Sequence, residues 1–175
     1  MKRKLVWMAV VSLFAVCSLV LPALAAEKLT MGEKSFVKEA ASGGMMEVEL
    51  GQMAKDKAKS QEVKDFAQRM VTDHGKANEE LKSVVGTRVK MPTKLELKHK
   101  ATVEKLSKAS ADEFDKKYAE AMVKDHKKDV DKFTKQSKKV KDPELKGWID
   151  KTLPVLEQHL QHAREMAKKL GVAEK

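Results

Sequence analysis

Apolar residues recur every three or four positions along four long stretches of this chain, and no stretch alternates apolar and polar strictly enough to read as a strand. The spacing predicts a first helix over about 32–58 and a second, capped by Ser60, running to about 85. A connector holding Gly86 and Pro92 leads to a shorter helix over 93–109. Ser110 with Glu113 three residues on reads as a capping box opening a third long helix that ends near 140. Asp142 and Pro143 supply the N-cap and first position of a fourth, which ends at Gly171 and should kink at Pro154. The expectation is an all-α chain: an antiparallel four-helix bundle over 34–171 with a short extra helix in the connector between the second and third long helices. Residues 26–33 are expected to be a flexible lead-in.

Each long helix has one apolar seam, and one ionisable residue interrupts each seam. Phe36, Ala40, Gly43, Glu47, Leu50 and Ala54 mark the first; Val63, Phe66, Met70, His74, Ala77, Leu81 and Val84 the second. The third carries Ala119, Met122, His126, Val130 and Phe133, the fourth Leu145, Ile149, Thr152, Leu156, His159, Ala163, Met166 and Leu170. At a rise of about 1.5 Å per residue, Glu47 and His74 stand roughly 20 Å from the turn that joins their helices. His126 and His159 stand roughly 24 Å from theirs, so in helices about 40 to 45 Å long all four reach mid-height. That holds whether the second hairpin points the same way as the first or is reversed by a crossover. An internal echo points to the same place: Met70-Val71-Thr72-Asp73-His74 against Met122-Val123-Lys124-Asp125-His126. The shared M-V-x-D-H pattern fits two related helical hairpins around a pseudo-symmetric centre.

The N-terminus changes where the protein should be found. Lys2, Arg3 and Lys4 precede an apolar run over 5–21, followed by Pro22 and an A-x-A pattern at Ala23 and Ala25. This is the layout of a secretory signal peptide over 1–25, so the expected location is the periplasm or outside the cell, with no stable membrane span after cleavage. Cys17, the only cysteine, lies inside that segment, so the remaining chain can form neither disulfide nor thiolate metal site. The segment holds three of the 36 Lys and Arg and none of the 26 acids, leaving +7. Aromatics make up 5% of the chain, too few for base stacking, and nucleic acid is not an expected partner. Lys124, Lys127, Lys128, Lys135, Lys138 and Lys139 read as a solvated helix face, with anionic envelope surfaces or envelope proteins as the alternative partners.

Phe36, the run GGMMEVE over 43–49, 66–70 with Asp73-His74, Phe114-Asp115 with Tyr118, His126, and Leu153-Pro154 followed by His159 together resemble the exported bacterial ferritin-like family catalogued as domain of unknown function 4142. The resemblance runs from about residue 35 to 170 and implies a ferritin-like bundle, mostly periplasmic, with no established reaction. The chain departs from ferritins proper, whose di-iron centres use Glu-x-x-His pairs. Val71, Val123 and Leu156 stand three residues before the central histidines, and the lone Glu96/His99 pair falls on the short helix, where a surface position is expected. Ferroxidase chemistry is therefore not carried over.

The candidate site is a metal centre of Glu47, His74, His126 and His159, with Asp73 or Asp125 orienting the histidines. Three imidazoles and one carboxylate suit Zn(II), Fe(II), Mn(II) or Cu(II). The competing reading is a metal-free buried polar network in which Glu47 hydrogen-bonds the histidines; on either reading, removing the Glu47 carboxylate should destabilise the protein more than changing Glu79. Met45, Met46, Met53, Met70 and Met122 could hold Cu(I) or a haem, but methionine more often fills cores, and haem is not expected. His162, one turn beyond His159, should face solvent, with an outer ligand as the alternative. No nucleophile elbow or phosphate loop marks an enzyme, which leaves a metal-binding or a stress-protective interaction module.

Overall fold

The computed structural model describes residues 28–173; the signal-peptide expectation over 1–25 lies outside them. Those residues form α1 (Met31–Lys57), α2 (Gln61–Val85), a 3-10 turn at Gly86–Arg88, α3 (Leu97–Ser107), α4 (Phe114–Ser137) and α5 (Pro143–Lys169), with no strand among them.

The N-terminal caps differ from the sequence reading in instructive ways. Thr30 and Glu33 form a capping box that starts α1 at Met31; Leu29 and Glu33 are buried, while Lys28, Thr30, Met31 and Gly32 are exposed. Glu33 does more than cap: its second oxygen accepts from the backbone N–H of Lys141 and Asp142 at 2.9 and 3.3 Å, tying the start of α1 to the α4–α5 loop. Burial alone would raise its pKa, but the donors of Lys141, Thr30 and Asp142 outweigh it and bring the carboxyl to about 2. Ser60 makes no side-chain cap; its N–H and that of Lys59 donate to the Asp115 carboxylate of α4 at 2.8 and 3.2 Å. The expected Ser110/Glu113 box becomes a side-chain bond of 2.7 Å within a turn, and α4 begins after it. Asp142 caps α5 as expected, accepting from Leu145 N–H at 2.8 Å, and α5 continues through Pro154.

The apolar seams meet in two clusters. One, at the α1–α2 turn, joins Leu50 and Ala54 of α1, Val63 and Phe66 of α2, Val103 and Leu106 of α3, Phe114 and Met122 of α4, and Ala163 and Met166 of α5. The other, at the α4–α5 turn, joins Phe36, Val37, Leu81, Val85, Phe133, Leu145 and Ile149. The two tight turns thus lie at opposite ends of the molecule, so α2 and α4 run parallel and the chain crosses from one end to the other through α3. α1 packs on α2, α2 on α5 and α5 on α4, while α3 lies against α1 and α4. Where α1 meets α2, Gly51 lets the backbones close: a Cβ there would stand 2.8 Å from the Ala67 carbonyl oxygen. α3 is pinned by Ser42 of α1, which accepts from Glu96 N–H at 2.8 Å and shares a hydrogen bond of 2.7 Å with His99 Nδ1. His99 is therefore buried, not on the surface.

Candidate metal centre

Between the two apolar clusters lies a layer of buried polar side chains: Glu47, His74, His126 and His159, one from each long helix. Ring centroids of the three histidines form a nearly equilateral triangle with sides of 5.3, 5.4 and 5.5 Å. One ring nitrogen from each lies within 4.8 Å of the others. Metal–nitrogen bonds of about 2.0–2.1 Å would set the nitrogens roughly 3.4 Å apart in a tetrahedral site, so rotamer-scale closure suffices. Phe66 presents its ring edge-on to His126 and His159 at 6.3 and 6.4 Å, walling the triangle with hydrocarbon.

Hydrogen bonds assign the tautomers. His126 Nδ1–H donates to the Met122 carbonyl at 3.0 Å, and His159 Nε2–H donates to Asp73 Oδ2 at 2.9 Å. The opposite nitrogens, His126 Nε2 and His159 Nδ1, carry lone pairs and have no partner, and His74 Nε2 is likewise buried and unpaired. Burial and mutual repulsion hold the His74 pKa well below 6.5 and bring His126 to about 4; burial lowers His159 as well, although Asp73 opposes it. All three rings are neutral at pH 7, the form that donates a lone pair to a metal.

Glu47 is set aside from this trio. Its carboxylate approaches His126 Nδ1 at 3.9 Å, but that nitrogen is committed to Met122, and neither Glu47 oxygen finds a hydrogen-bond donor. The carboxylate sits instead by Asp125 and Asp129 of α4, and burial with those two charges pushes its pKa well above 4.5. Of the two expected orienting acids, Asp73 holds a histidine and Asp125 turns to Glu47, because residues one step before His74 and His126 open onto different neighbours. Tyr118, whose buried hydroxyl is also unpaired, was not marked as a site residue by its spacing; its position one residue before Ala119 of the seam was the available signal. Met70 and Met122 are fully buried in the apolar cluster, as core methionines are. His162 pairs with Arg69 at 2.7 Å.

These features define an all-helical protein with a buried three-histidine cluster. The chain belongs to the family described as domain of unknown function (DUF4142), whose model matches residues 18–166. It is similar in fold to CopM in the Cu(II)-bound form, with a TM-score of 0.67 and 16% identity over 79% of this chain and 97% of that one. The Ag-bound form of CopM, prepared by soaking, gives 0.65 and 18% over 82% and 98%. No curated protein sequence matches the chain. Among the described residues no helix is long and apolar enough to cross a membrane.

Proposed function

We propose that this protein is an exported, periplasmic ferritin-like four-helix bundle that binds a transition-metal ion through His74, His126 and His159, with Glu47 nearby to offset the ion's charge and no catalytic role. The observation that carries this reading is the convergence of three neutral, buried imidazoles whose inward nitrogens have no hydrogen-bond partner. Each such group costs about 1–3 kcal/mol when left unsatisfied, and a metal ion satisfies all three at once. Imidazole donors suit Zn, Cu and Fe. Copper is the first candidate, because CopM, similar in fold, has been described in Cu(II)-bound and Cu(I)-bound forms. Asp73 on His159 Nε2–H is the outer carboxylate that fixes a ligating histidine's orientation. A metal-free polar network is the weaker reading, since the Glu47 oxygens accept nothing from the histidines.

The test is equilibrium dialysis of untagged mature protein against Cu(II) and against Zn(II), followed by elemental analysis and thermal unfolding. Wild type should retain about one ion per chain and gain about 2.7 kcal/mol at a free concentration 100 times Kd. His74→Ala and His126→Ala should retain none and show no metal-dependent shift. Wild type that stays metal-free under both dialyses would end this proposal.

A further inference from the structure

The trio is enclosed, its histidines 7%, 1% and 1% exposed, so an ion needs a way in. Asp73 of α2, partly exposed and bonded to His159, is one acid that joins the surface to the layer; a longer row of acids lines the α1–α4 seam, against which α3 packs. Two contacts set its antiparallel register: Glu39 of α1 forms an ion pair with Lys132 of α4, and Glu47 Oε1 lies 3.9 Å from His126 Nδ1. Between them that register places Gly43 opposite Asp129 and Glu47 opposite Asp125. Gly43 carries no side chain into the seam, and a Cβ there would meet only His99 Cε1 at 3.9 Å. At the outer end Glu39 is also paired with Lys98 of α3, so two lysines hold the first carboxylate of the row. At the inner end Glu47 is fully buried with both oxygens unpartnered.

We propose that Glu39, Asp129, Asp125 and Glu47 form a cation entry path along the α1–α4 seam, closed at the surface by Lys98 and Lys132 and ending at the three histidines. This rests on the metal-binding reading above. The row offers a cation successive carboxyl oxygens along a seam walled by helices, whereas the two lysines that hold Glu39 repel it at the mouth. Asp129 stands between the two ends of the row, near Asp125 on the inner side and near Glu39 with its partners Lys132 and Lys98 on the outer side. Glu47, the last oxygen before the trio, then passes the ion on without being one of its permanent ligands.

Stopped-flow uptake of Cu(II) by the mature protein, followed through tryptophan quenching, separates a path from a ligand. Asp129→Asn should slow both uptake and release by about tenfold and leave Kd and stoichiometry unchanged. Asp131→Asn, an equal charge change at an exposed position on α4, should match wild type. Lys132→Met should speed uptake. Equal rates for Asp129→Asn and Asp131→Asn would overturn the path while leaving the histidine site standing. Faster release at unchanged uptake would also overturn it, because Asp129 would then be a ligand. Absence of any binding to wild type removes both proposals together.

Discussion

Replacing Glu47 with methionine should make the metal-free protein more stable, although Glu47 is fully buried at the centre of the fold. Its two carboxyl oxygens have no donor, while the histidine N–H groups it was expected to satisfy already bond Met122 and Asp73. Methionine has a similar length, so Glu47→Met removes an unpaired polar group without opening a large cavity. Relief of one such group amounts to about 1–3 kcal/mol. In a domain of this size each kcal/mol moves Tm by about 2–4 °C, so the gain should be roughly 2–12 °C. Glu79→Met on the exposed side of α2 is the control and should change stability by no more than about 0.5 kcal/mol. Circular dichroism melts in chelator at pH 7 give the answer. A lower Tm for Glu47→Met than for Glu79→Met would refute the reasoning, because the carboxyl would then have to be held by favourable contacts. Repeating the melts with Cu(II) adds a second result: a metal-induced shift equal to that of wild type places the ion on the histidines alone.

Stability of the metal-free protein should peak near pH 6.5. The depressed pKa values of His74, His126 and His159 mean that the unfolded chain takes up protons first, so each lost pH unit below 6.5 costs up to about 1.4 kcal/mol per histidine until the folded pKa is reached, about 4 for His126. Glu47 and Asp129 act in the opposite sense: the folded state keeps their protons, so stability falls as pH rises above their unfolded values, through about 7 for Asp129. Three histidines outweigh two acids below 6.5, and only the acids remain above it; a steady rise in urea midpoint from pH 5 to pH 8 would contradict this. Gly51→Ala should cost about 1–3 kcal/mol, because the new methyl meets the Ala67 carbonyl and the Val71 side chain at 2.8 Å. Gly75→Ala, with nothing within 4 Å, should gain about 0.5–1 kcal/mol, and urea melts of the pair will show whether the α1–α2 approach is as close as described.

Local periodicity was enough to locate the helices and to bring one polar residue from each long helix to a common height, because helical rise and spacing are properties of the backbone. Thus His74, His126 and His159 were legible in sequence as one layer. Rotation about each helix was not: Glu47 and His126 share that level, yet Glu47 faces Asp125 and Asp129, while the inward nitrogen of His126 is set by a bond to its own helix. Nor could spacing show that Ser42 draws His99 into the interior, or that Glu33 reaches more than a hundred residues along the chain to the α4–α5 loop. The crossover was equally hidden, since equal heights result whichever way the second hairpin points. Only packing, which puts the two tight turns at opposite ends and threads α3 between them, decided which acids border the histidines and which face the seam that leads to them.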